Sequence, residues 1–98
     1  MTDLTNMDLS MSEWIKLGNI DAELSVTEAG GVLELFAEIE DPEYTPEDFR
    51  KLPSWVTGEN LGNGVLFYTS DLGRMRDLVE LAADFLGVER PSDRPGAQ

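Results

Sequence analysis

Apolar and polar residues alternate with a period of two along two stretches of this chain. Ile20, Ala22, Leu24 and Val26 alternate with Asp21, Glu23, Ser25 and Thr27. After the sequence TEAGG the alternation resumes, with Leu33, Leu35, Ala37 and Ile39 against Glu34, Phe36, Glu38 and Glu40. Two alternating runs about a glycine-rich turn predict a β-hairpin. With the turn centred on Ala29 and Gly30, Val26 faces Leu33, Leu24 faces Leu35 and Ala22 faces Ala37. A slip of one residue breaks this match, so the pattern supports its own register.

Other stretches follow a helical period. Ser10 with Glu13 three residues on fits a capping box, Met11, Trp14 and Ile15 share one face, and Gly18 offers a stop. These features predict a short helix over residues 11–17. Thr45-Pro46-Glu47-Asp48 supplies a cap, a proline at the first position and acids in the first turn, and predicts a helix over 46–51 that Pro53 limits. Residues 54–63 read as a loop anchored by Trp55 and Val56. The continuous apolar run from Val65 to Thr69 predicts a third strand, buried on both faces and therefore central. Ser70 then caps a helix over 71–86 that ends at Gly87. Its apolar side holds Leu72, Met75, Leu78, Val79, Ala82, Ala83, Phe85 and Leu86. That arc covers roughly half the circumference or more, wider than the minimal stripe of a surface helix.

The fold class that follows is α+β: a single small domain in the order α-β-β-α-β-α. Its three-stranded, mainly antiparallel sheet has the C-terminal helix packed on one face. Residues 1–9 show no period and read as a flexible arm, 10–88 as the domain, and the polar, turn-rich stretch 89–98 as a disordered tail.

Charge narrows the partners. Twenty acidic residues against seven basic ones give a net charge of −13. Direct binding to nucleic acid needs a basic footprint, and docking on an anionic membrane needs the same, so both are excluded as expectations. A basic protein partner fits, or the acids are only a solvating coat. The chain has no cysteine and no histidine. That removes thiolate and Ser-His nucleophiles, zinc-thiolate sites and imidazole ligands. The run GENLGNG lacks the Lys-Ser/Thr of a phosphate loop, and DPEYTPED lacks the loop glycine and terminal Glu spacing of an EF-hand. A protein without catalysis, cofactor or metal is therefore expected. No signal peptide and no apolar run of about 20 residues is evident, so a cytoplasmic location is expected, in the host cytoplasm if the chain is phage-encoded.

The informative constellation is the outer side of the predicted hairpin. Asp21, Glu23, Glu34, Glu38 and Glu40 project there, with Phe36 among them opposite Glu23. Asp21 lies opposite Glu38, and neither strand contains a Lys or Arg. Like charges facing each other cost roughly a few tenths of a kcal/mol per pair. Carboxylates at alternate positions fall about 6.6 Å apart and can face a basic groove. The alternative is that another element covers this face, with Phe36 in the core and the acids at the margin. Trp55 is a further apolar anchor for a partner, or a plug over the core edge. Asp77, Glu80 and Asp84 form a second acidic patch on the last helix, for which a solvated face with weak ion pairs is the plainer reading.

Two function classes remain. One is an acidic inhibitor, monomer or homodimer, that occupies a basic, nucleic-acid-binding surface of a partner protein. Nucleic-acid mimics of the anti-restriction, anti-CRISPR and toxin-immunity types belong here by analogy of size and charge alone. The other is a non-catalytic structural or assembly module, homo-oligomeric if the wide helical arc exceeds what one core needs. No motif names an activity.

Overall fold

A computed structural model describes residues 12–27 and 31–90. The predicted arm over 1–9, Ser10 of the capping box, the Ala29–Gly30 turn centre and the tail from residue 91 lie outside the described residues. The elements are β1 (Glu13–Leu17), β2 (Ile20–Val26), β3 (Leu33–Glu38), α1 (Pro46–Phe49), β4 (Thr57–Asn60), β5 (Gly64–Thr69) and α2 (Met75–Leu86). The five strands form one antiparallel sheet in the order β1-β2-β3-β5-β4. The α+β class and the C-terminal helix on the sheet stand, whereas among the described residues the sheet has five strands rather than three, and a strand, not a helix, comes first.

The central hairpin has the expected register: Val26 pairs with Leu33, Leu24 with Leu35, Ala22 with Ala37, and Glu23 with Phe36. The first correction lies just before it. Residues 13–17 are a strand, and Gly18 with Asn19 forms a tight turn that pairs Leu17 with Ile20. Gly18 has φ +64° and no positive φ occurs at Asn19, the pattern of a type II′ hairpin turn. In this register Ile15 and Leu17 join the inward aliphatic set, while Trp14 and Lys16 point outward. A free neighbouring edge on β2 outweighed the weak helical spacing.

β4 is the second correction. Its inward positions carry Gly58 and Asn60, not aliphatics, so no alternation announces it. Gly58 leaves room for Phe49 and Leu52, whose side chains a Cβ there would strike. Asn60 fastens the strand to the loop before α1: its Nδ2 donates to the carbonyls of Pro42 at 2.7 Å and Tyr44 at 3.1 Å. Its Oδ1 accepts from the Gly62 N–H at 2.8 Å.

α1 is shorter than expected. Asp48 Oδ2 accepts from the Thr45 N–H at 2.8 Å, and the chain beyond Phe49 closes with tighter i→i+3 bonds before Pro53. At the last helix the cap is Asp71 rather than Ser70. Asp71 Oδ1 accepts from the Gly73 N–H at 3.1 Å, which pulls Leu72–Arg74 into a 3₁₀ turn before α2 proper begins at Met75. Gly87, at φ +72°, ends α2 as expected: the Val88 N–H donates to the Ala83 carbonyl at 3.0 Å and the Gly87 N–H to that of Asp84 at 3.2 Å, a Schellman pair.

Both helices lie on one face of the sheet. Leu24, Leu33, Leu35, Ala37, Val65 and Phe67 meet Leu78, Ala82 and Ala83 of α2 in a buried core. Phe85 packs edge-on against Phe67 at 5.4 Å between centroids and stacks on Phe49 at 5.3 Å, with Tyr44 closing the group. Most of the broad apolar arc of the last helix packs on the sheet and on the 44–55 segment, while Leu72, just ahead of α2, stays 40% exposed. β5 lies between two strands as expected, but its outward residues Leu66 and Tyr68 are only half-buried, so it is not sealed on both faces.

On the opposite face the Phe36 ring lies over Gly64, where a Cβ would run into that ring and into the Ala37 carbonyl oxygen. The carbonyl belongs to the paired strand and cannot step aside. Gly64→Ala is expected to destabilise the fold by about 2–3 kcal/mol, the cost of overpacking a tight site. Urea unfolding measures it, and a loss below about 1 kcal/mol would mean that both the ring and the paired backbone give way at the glycine.

Candidate functional site: the open face of the sheet

Strand alternation sends two sets of side chains to opposite faces. The set away from the helices forms rows across the strands. One row runs Trp14, Glu23, Phe36, Leu66, Glu59. The next runs Ser25, Glu34, Tyr68, Thr57. A third holds Lys16 and Asp21, with Glu38 opposite Gly64. Among the described residues no helix covers this face. Phe36, Leu66 and Tyr68 are half-buried by their neighbours, and Trp14 on the edge strand is 55% exposed.

The structure brings together five of the residues singled out from the sequence: Asp21, Glu23, Glu34, Phe36 and Glu38 share the open face. Glu40 follows just after β3 and, with Phe36 and Glu38, lines a shallow depression beside the Gly62–Asn63 turn. Trp55 does not join them. It packs on the helix side, beside Asp77, Glu80 and Leu81, with the Arg74 guanidinium 4.6 Å from its ring centroid. It therefore plugs the core edge, with a cation seated on its exposed face.

Three features of the face were missed. Trp14 and Lys16 were hidden by the helical reading, although their alternation with Ile15 and Leu17 was there to be read. Lys16 Nζ lies 2.8 Å from Asp21 Oδ1, so one carboxylate of the row has a cation from β1. Both groups are more than half exposed, so the pair contributes little stability, on the order of 0–1 kcal/mol. Leu66 and Tyr68 belong to an apolar run that predicts burial on both sides. Glu59 had no sequence signal, because β4 had none.

The second acidic patch differs in its surroundings. Arg74 reaches Asp71 and Asp77 at 3.3 Å each. Arg90, arriving after the helix stop, holds Asp84 through two bonds of 3.1 and 2.8 Å and reaches Glu80 at 3.5 Å. Hydrogen bonding from the guanidinium, helped by its charge, holds the Asp84 carboxyl below its ordinary value of 3.8. These acids carry their own cations. On the open face, Lys16 of β1 pairs with Asp21. Among the described residues no three carboxylates converge as a metal ion requires, and no helix is long and apolar enough to cross a membrane.

The chain matches no family model, no curated protein and no solved structure.

The Asp84–Arg90 contact has a sign that can be checked. A carboxyl whose folded-state pKa is depressed contributes stability above its unfolded value and loses that contribution as pH falls through the folded value. Arg90→Ala should raise the Asp84 pKa toward 3.8 in a carboxyl-detected NMR titration. An unchanged Asp84 titration would mean that Arg90 does not hold it in solution.

Proposed function

We propose that this protein is an acidic binding module that lays the open face of its sheet on a basic surface of a partner protein. That surface is one that otherwise binds nucleic acid, so the module acts as an inhibitor. The observation that carries the reading is the contrast between the two acidic regions. The acids of α2 are bridged by Arg74 and Arg90, whereas the open face sets Glu23, Glu34, Glu38 and Glu59 around half-buried Phe36, Leu66 and Tyr68. Carboxylates with an apolar centre suit a partner that supplies cations and an apolar contact. The net charge of −13 steers such a partner in and makes association fast and salt-sensitive. A chain acting this way works where its partner does, in the cytoplasm.

Self-association through the wide arc of α2 is less favoured, because Phe49, Phe67 and Tyr44 already pack on Phe85. Face-to-face pairing of two copies through the open sheets would bring like charges together.

The test is capture of a partner, identified by mass spectrometry, followed by competition with duplex DNA. The expected outcome is a basic protein that DNA displaces, with binding lost in a Glu23→Lys/Glu34→Lys/Glu38→Lys triple variant and retained when Asp77 and Asp84 are changed to Asn. A partner indifferent to DNA and to the triple reversal would sink the proposal.

A further inference from the structure

We infer that the partner element seated on the open face is an amphipathic α-helix whose apolar stripe is bordered on both sides by Lys or Arg. This rests on the reading of the face as a docking surface for a basic partner, and it adds which element docks and along which line.

The apolar side chains of the face form a ridge over the two central strands. Phe36 of β3 pairs with Leu66 of β5, Tyr68 continues the ridge at one end, and the Phe36 ring extends it over Gly64 at the other. Carboxylates border the ridge on both sides in the same cross-strand row, Glu23 on β2 and Glu59 on β4. β2 and β4 stand three strand spacings apart, about 14 Å. An α-helix with its side chains is about 10–12 Å across. A helix lying along β3 and β5 covers Phe36, Leu66 and Tyr68 and sets the long cationic side chains on its two borders over Glu23 and Glu59. Glu34 and Glu38, two residues to either side of Phe36 on β3, fall under its length.

Other elements fit less well. β3 is paired with β2 and β5, and β5 with β3 and β4, so neither central strand has a free backbone edge. An extended segment laid across the face would leave its own N–H and C=O groups without partners, whereas a helix satisfies its backbone internally. A flat, wholly cationic surface would leave the apolar ridge wet.

The experiment titrates the full chain with two labelled synthetic peptides of identical Leu, Lys and Ala composition. In one, Leu recurs at i, i+3, i+4 and i+7 with Lys on both borders, and in the other the order is scrambled so that no stripe exists. Fluorescence anisotropy at low salt reads binding. The striped peptide is expected to bind at least about tenfold more tightly, a gap within what burial of one leucine of its stripe supplies. Leu66→Ser should close that gap. The double variant Glu23→Lys/Glu59→Lys should weaken the striped peptide even if Leu66→Ser proves unfolded by circular dichroism. Equal affinity for the two peptides, with both weakened by the double variant, overturns the helix and leaves the basic-partner reading intact. Failure of both peptides to bind overturns both readings. A gap that survives Leu66→Ser in a folded variant, or a striped peptide that the double variant does not weaken, overturns the site. So does a gap that emerges only once residues 1–11 are removed, or only once a dimer of the chain is dissociated, because the face is then occupied by the chain itself.

Discussion

The seam between α2 and the two central strands is the constraint on which the rest of the molecule depends. Leu35, Phe67, Leu78 and Ala82 are all fully buried along it. Each large aliphatic or aromatic side chain so buried contributes about 1.5–3 kcal/mol. Ala82 and Ala83 let the helix come close to the sheet, and Phe85, one turn on, gathers Phe49, Tyr44 and the edge of Phe67. A single helix with its accompanying 44–55 segment covers one face of a five-stranded sheet and no more. Everything distinctive about the other face follows from that asymmetry.

The two acidic regions show how differently the same residue type can be used. On α2 the carboxylates lie within reach of Arg74 and Arg90, and Asp84 is held ionised by a two-point contact with a guanidinium. On the open face they are distributed across three strands, β2, β3 and β4, with Lys16 of β1 bound to Asp21. Like charges so placed weaken the sheet slightly, and the loss is spread over a scaffold anchored elsewhere. A face that is acidic around a half-buried aromatic ridge is poorly suited to self-association and well suited to a cationic, amphipathic visitor. This is why the proposed partner is basic and why a helix fits best.

How much could be read beforehand depended on how strongly each element advertised itself. The β2–β3 hairpin was legible to the residue, because four aliphatics in each run tolerate only one register. Asp21, Glu23, Glu34, Phe36 and Glu38 could therefore be placed on a common face without coordinates. β1 was misread because Met11, Trp14 and Ile15 also fit a helical spacing, and five residues are too few to separate the two periods. β4 was invisible, since Gly58 and Asn60 occupy its inward positions and it exists by pairing with the free edge of β5. Trp55 could not be assigned to a side of the sheet at all, as loop residues carry no period.

Local alternation, turn chemistry and caps thus determined the hairpin register, the Gly87 stop, the Thr45–Asp48 cap and the acidity of the outer strand positions, because each depends on residues close together in the chain. Tertiary structure decided what depends on distant partners. It recruited β1 and β4 as edge strands, turned Leu72–Arg74 into a 3₁₀ turn so that α2 begins at Met75, and seated Trp55 beneath Arg74. It bound Asp84 to Arg90 and left Phe36, Leu66 and Tyr68 on a face that no described helix covers. The physical reason is that one helix can bury one side of a sheet, and only the assembled sheet reveals which side chains are left on the other.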